Sequence, residues 1–192
     1  MKAGKNGVTA KTPKNILFGA GTIHRGLKYE GNAWNTAASI VGATSGGSKF
    51  SIIPTVTPVS VDGVNVPTKG LNKKTEEKAT MEVNFIELSK DVIQAATFGK
   101  IGTSEDTKYD LIESKADIEE GDYWDNIAFV GKTLEGKNII AILDNALCTS
   151  GFEQEGKNKE GAVGKYTFEC HADPASDMDK LPWRIYYPKV TA

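Results

Sequence analysis

Residues 44–99 constrain the fold more than any other part of the chain. The stretch opens with Gly46-Gly47, passes through a long β-branched segment and a polar loop, and ends in an alternating strand that runs into a capped helix. Gly46 and Gly47 accept positive φ at little cost, so residues 45–48 are expected to turn. Residues 49–60 are mostly β-branched or apolar, with Pro54 and Pro58 interposed. Proline gives no N–H to a ladder, so a strand here must be an edge, or be bulged or broken. Asp62-Gly63 marks a tight turn. The charges between Lys69 and Lys78, with Pro67 and Gly70, predict one long exposed loop over residues 62–78, and long loops in compact domains tend to be functional.

From Thr80 the pattern changes. Met81, Val83 and Phe85 share one face of a predicted strand, and Thr80, Glu82 and Asn84 share the other. Ser89 is a good N-cap, Asp91 suits the positive end of the helix dipole, and Gly99 is the expected stop. Val92, Ile93, Ala96 and Phe98 supply an apolar stripe. A helix this short does not stand alone in water and must pack on a sheet.

Elsewhere strands dominate. They are expected over residues 15–23, 34–41, 126–130, 138–147, 165–171 and 183–190, with a hairpin at Glu135-Gly136. Residues 100–125 read as an acidic, loop-rich insertion with room for one strand. The fold class is therefore mainly β: two packed β-sheets, a sandwich or half barrel, with one short flanking helix. At 192 residues the chain fits a single β domain over 15–192 preceded by a basic arm over 1–14. It contains no apolar run of the ~18 residues needed to cross a membrane as a helix, nor a leader with a basic start and apolar core, so synthesis in the cytoplasm without export is expected.

Charge is uneven although the net is −2. Lys2, Lys5, Lys11, Lys14, Arg25 and Lys28 face no acid before residue 29, whereas residues 105–125 carry nine acids against Lys108 and Lys115. One explanation is a flexible arm and a solvated loop. The other sets the arm of one subunit, through Lys2, Lys5, Lys11 and Lys14, on the acidic segment of its neighbour. Cys148 and Cys170 form no disulfide framework. A hairpin closing near Glu155-Gly156 places Cys148 opposite about Val163, far from Cys170, so both read as reduced.

Chemical motifs are weak throughout. Gly131-Lys132-Thr133 resembles the end of a phosphate-binding loop, but Asn126 stands where that motif needs glycine and the intervening residues belong in a strand. Gly19-Ala20-Gly21 lacks a supporting helix. His24 and His171 have no partners at zinc spacing, and the polar run His171, Asp173, Asp177, Asp179 lacks the glycine and terminal Glu of a calcium loop. Glu76-Glu77 and Glu119-Glu120 read as solvated charges rather than catalytic pairs. Trp124, Trp183, Tyr186 and Tyr187 fit a core, with a subunit contact as the alternative. No residue is assigned to catalysis, a cofactor or a metal.

Two blocks carry a family resemblance. One is TSGG…F…P…V.VDG followed by KKTEEKATMEVNFIELS; the other is YWDNIAFVGKTLEGKNIIAILDNALCTSGF followed by GKYTFECHADPASDMDKLPWRIYYP. Together they span more than half of the chain, and in order and spacing they resemble the major tail tube protein of long-tailed bacteriophages. The resemblance implies hexameric rings stacked into a tube around a tape measure protein, bounded by tail terminator and distal tail proteins. Double-stranded DNA would later pass without specific binding, and the protein would reside in the virion tail, assembled in the host cytoplasm. A neutral to acidic body suits a conduit, because each lysine–phosphate contact would add affinity. Within this reading residues 62–78 make the contact between rings, with Val64 and Val66 as apolar plugs and Lys69, Lys73, Lys74, Glu76 and Glu77 as charge partners. The tube of a contractile tail or related injection machine is the nearest alternative. A monomeric β-sandwich binding a carbohydrate or a cell surface is the alternative from another class.

Overall fold

The computed structural model describes residues 5–156 and 158–189. In chain order the elements are α1 (Thr12–Asn15), β1 (Leu17–Arg25), β2 (Tyr29–Glu30), β3 (Ala33–Trp34), α2 (Thr36–Ser39), β4 (Thr44–Pro58) and β5 (Asn72–Phe85). Then follow α3 (Lys90–Thr97), β6 (Lys100–Gly102), β7 (Leu111–Glu113), β8 (Trp124–Thr133), β9 (Asn138–Cys148), β10 (Gly164–Cys170) and β11 (Trp183–Tyr186). Seven strands form one antiparallel sheet in the order β1-β8-β9-β10-β5-β4, with β11 added to β9. The pairs β2–β3 and β6–β7 are small separate ribbons. The chain is mainly β, as its alternation patterns indicate.

The two layers of the body are halves of that one sheet. It curls until its end strands, β1 and β4, touch. The enclosed core joins Ile23, Met81, Phe85, Phe129, Leu143 and Phe168 from both halves. Across it the Phe50 ring lies 5.9 Å from Phe129, and Trp124 lies 4.6 Å from Phe168. Burying each such side chain contributes roughly 1.5–3 kcal/mol.

Glycine bulges and one bent strand produce the curl. Between Phe18 and Thr22, β1 advances four residues while β8 retreats from Lys132 to Val130, so two extra residues loop out beside Gly19 and Gly21. β4 does the same between Thr44 and Ser48, at Gly46 and Gly47, both with positive φ. Bulges of this kind bend a strand and raise its twist. In the middle of the sheet Asn145 takes φ +47°. Before it, residues 140–143 of β9 pair with β11; after it, residues 146–148 pair with β10. The left-handed residue also resets the alternation, so Ala141 and Leu143 on one side and Ala146 and Cys148 on the other all enter the same core. Its side-chain amide donates to the His171 carbonyl oxygen at 3.2 Å, which fixes the bend.

Helix α3 closes one side of the core with Val92, Ala95 and Ala96. The Ser89 hydroxyl accepts from the Val92 N–H at 3.3 Å, the expected cap. The left-handed stop falls on Phe98 (φ +51°) rather than Gly99. Gly99 is required for room instead, since a Cβ there would lie 2.4 Å from Ile112 Cγ2. On the outer face of β8 and β9 a second small core gathers Leu27, Ala128, Val130, Ile140 and Ile142 under Trp34.

Several expectations need correction. Gly46-Gly47 is a bulge within a strand, not a turn before one, because the flanking residues keep pairing with β5. The loop expected over residues 62–78 is shorter: β5 starts at Asn72 and pairs as far as Pro58, so charged and threonine side chains occupy a two-stranded ribbon. Residues 36–39, expected in a strand, form the short helix α2. The acidic insertion holds two short strands, β6 and β7, rather than one. Cys148 pairs with Phe168, not with about Val163, because β10 starts only at Gly164. Both thiols are nonetheless free and buried. The last strand ends at Tyr186, and Val190 lies outside the described residues.

Candidate assembly surface

The feature that sets this molecule apart from a closed β domain is an arm. From Ile53 to Glu76 every side chain is exposed except Leu71, which is half-buried. Here β4 and β5 run on as a bare two-stranded ribbon beyond the core. β4 lies at the end of the sheet, which is where Pro54 and Pro58 are tolerated. One extra residue, Thr75, sits on β5 between Val56 and Thr55 pairings, and its hydroxyl bonds the Thr57 hydroxyl at 2.9 Å. The tip is ordered by two turns. The Val64 N–H donates to the Val61 carbonyl at 3.1 Å around Gly63, and the Leu71 N–H donates to the Thr68 carbonyl at 3.1 Å around Gly70. A third bond, Val59 N–H to Leu71 carbonyl at 2.7 Å, closes its base.

Ile53, Val56, Val59, Val61, Val64 and Val66 line the arm, all exposed, Val66 to 70%. A two-stranded hairpin alone is at best marginally stable in water, and exposed apolar side chains mark a surface that gains from a cover. Of the charges expected to reach another subunit, Lys69, Lys73 and Glu76 have no ion-pair partner among the described residues. Lys74 and Glu77 are joined to each other at 2.9 Å. The Glu77 carboxylate, whose side chain is only 10% exposed, also accepts the Trp183 indole N–H at 3.1 Å. The Lys74 ammonium and that indole hold its carboxyl below the usual range. Glu77 therefore anchors the base of the arm to β11.

Lys11 immediately precedes α1 and is exposed, and Lys14 lies within the helix, half-buried. Lys2 lies outside the described residues, and Lys5 belongs to a short turn over Lys5–Gly7. The segment is tied down at Asn15, whose side-chain oxygen accepts from the Tyr187 hydroxyl at 2.7 Å. The acidic insertion is partly neutralised within the chain. Lys90 meets Asp110 at 2.7 Å, Lys100 meets Glu113 at 3.4 Å, and Lys115 meets Glu119 and Asp122 at 2.9 and 2.7 Å. Glu105, Asp117, Glu120 and Asp125 stay exposed, without an ion pair among the described residues.

Sequence reading missed one concave surface. Where β1 bulges off β8 a cleft of about 450 Å³ opens, lined by Phe18, Ala37, Ile40, Val130, His24 and Lys132 among others. Phe18 is 68% exposed. His24 forms the floor and is fully buried. Its Nδ1 lies 3.0 Å from Ser39 Oγ and its Nε2 2.7 Å from Thr22 Oγ1. Because the Ser39 hydroxyl donates to the Asn35 carbonyl at 2.9 Å, it accepts from His24 Nδ1–H. Burial lowers the His24 pKa. These residues come from three separated segments, and nothing local in the sequence marks them as neighbours.

Chemistry of other kinds finds little purchase. Gly131, Lys132 and Thr133 continue strand β8, and a Cβ on Gly131 would meet Leu17 and Phe129 at 2.6 Å. No group of three or more His, Cys, Asp or Glu is placed to hold a metal ion among the described residues. Burial raises both thiol pKa values, that of Cys170 to about 12, which keeps them protonated and unreactive. No helix among the described residues is long and apolar enough to cross a membrane. The chain matches no protein-family model and no curated protein in sequence.

Proposed function

We propose that this chain is a structural subunit that assembles with copies of itself into a tube, the tail tube of a long-tailed phage being the form its sequence resembles. The observation that carries this reading is the arm: an ordered β-ribbon, bare of core contacts, that holds apolar side chains in water. A monomer gains nothing from such a ribbon and risks aggregation through it. A repeated contact between copies covers it. The outer edge of β4 along the arm supports the same reading, since a contact between copies satisfies an edge that a monomer leaves open. In this function the subunits form hexameric rings. These stack around a tape measure protein between terminator and distal tail proteins, and let DNA pass without specific binding. No residue acts as a catalyst.

The test is negative-stain microscopy of the purified protein at low and high concentration and in two salt conditions. Rings or hollow tubes are expected, with stacking weakened by salt where charged contacts contribute. The double substitution Val64→Asp, Val66→Asp is expected to leave the fold intact, because both side chains are exposed, and to abolish polymerisation. Normal tubes from that variant would remove the arm tip from the contact.

One observation favours a second reading, a carbohydrate-binding module. Tyr29, Trp34 and Tyr186 stand edge to face at 5.3 and 4.9 Å along a cleft that also holds Lys28, Glu30 and Arg184. A protein that stays monomeric at every concentration and binds oligosaccharides would favour it over the tube.

A further inference from the structure

We propose that the cleft between the β1 bulge and α2 is the socket for the arm tip of a second copy of this chain. In this contact Val64 and Val66 of one copy rest against Phe18 and Ile40 of the other, and Asp62 reaches Lys132. The inference rests on the assembly reading above and adds to it the receiving surface.

Two surfaces of the same chain carry complementary defects. The tip presents exposed apolar side chains on a turn-ordered end. The cleft is concave, and exposed apolar side chains form its rim, Phe18 at 68% and Ile40 at 53%. Each leaves apolar area in water, and joining them removes it at roughly 25 cal/mol per Å². The charges match as well. Asp62 at the tip and Lys132 at the rim have no ion-pair partner among the described residues, and opposite rim charges fix register.

The other hollows fit the tip less well. The one beside the base of the arm is lined by Lys73, Lys74, Glu76, Glu77, Asp179 and Lys180 among others, so an apolar tip there would strip water from charges. The aromatic cleft already packs its rings against one another. Tip and socket are different surfaces, so their contact is heterologous. Passed from each copy to the next, it generates a ring where the rotation closes and a growing polymer where it does not.

The socket exists because of particular residues. Gly19 and Gly21, both with positive φ, let β1 leave β8 and return. His24 then ties the far wall, α2, to the sheet through Ser39. The socket is built by the fold before any partner arrives.

The test uses two full-length variants, Val64→Cys and Ile40→Cys, mixed in equal amounts and treated with a short bis-maleimide. Cys148 and Cys170 are buried, and the unsubstituted protein sets the background. Covalent dimers are expected from the mixture, at least tenfold above either variant alone. Exchanging the charges at Asp62 and Lys132 singly is expected to lower the yield by up to about fivefold, the range for an exposed pair, and exchanging both in one chain to restore it. If particles form but the mixture gives no cross-link, the socket is elsewhere while the assembly reading stands. If Val64→Cys cross-links to itself, the tips pair with each other and the proposal falls. If no species larger than a monomer appears at any concentration, both the socket and the assembly reading are overturned.

Discussion

His24 shows how one side chain carries a condition on the whole fold. It is buried and neutral, with hydroxyls beside both ring nitrogens. Its folded pKa is lowered from 6.5, with burial the leading cause. A lowered histidine pKa means the folded state binds fewer protons than the unfolded one, so stability is full above about pH 6.5 and declines as pH falls below it. Denaturant midpoints measured from pH 8 to pH 5 should be level above neutrality and fall below it, and His24→Gln should flatten the slope. An unchanged slope in that variant would assign the acid sensitivity to other groups. The sequence marks His24 only as a histidine without zinc partners. What it does instead depends on Ser39, which folds back from α2, and no spacing rule places that contact.

At the scale of elements, legibility follows the distance between cause and effect. Helix α3 is readable because its cap, dipole charge and apolar stripe all lie within ten or so residues. The hairpin at Gly136 and the strands β8 and β9 are readable for the same reason. The arm is not, because Lys73, Lys74, Glu76 and Lys78 look like loop residues until their pairing with β4 is known. The glycine bulges mislead in the opposite direction, since paired glycines announce a turn as readily as a bulge. Their role can be tested on β1. Gly21 has φ +68°, and a Cβ there would lie 2.3 Å from Phe129 Cε2 and 2.9 Å from the Val130 carbonyl oxygen. Gly21→Ala therefore meets both backbone strain and a clash against backbone, and should cost about 2–4 kcal/mol, read as a lowered denaturant midpoint. Loss of under half a kcal/mol would show that the bulge can rearrange.

On the scale of the molecule, the mainly β class was legible, and the unity of its sheet was not. Strand patterns give faces, but whether two layers are separate sheets or one curled sheet depends on Asn145, a single residue whose left-handed φ the pattern does not announce. The candidate surfaces divide in the same way: the valines of the arm stand in one stretch of sequence, while the socket is assembled by topology. Because β9 belongs to both layers, neither layer is expected to unfold alone. Heat or denaturant should give one cooperative transition, seen at the same midpoint by tryptophan fluorescence and by far-ultraviolet circular dichroism, with the slowest amide exchange in β9. Two separated transitions would disprove the shared strand as the source of cooperativity. The bend at Asn145 has a mechanical side too. In a wall made of sandwiches, two faces joined only by side chains can slip past each other under load. Here a pull on one face travels to the other along covalent backbone, so a wall of these subunits would stretch as a single skin.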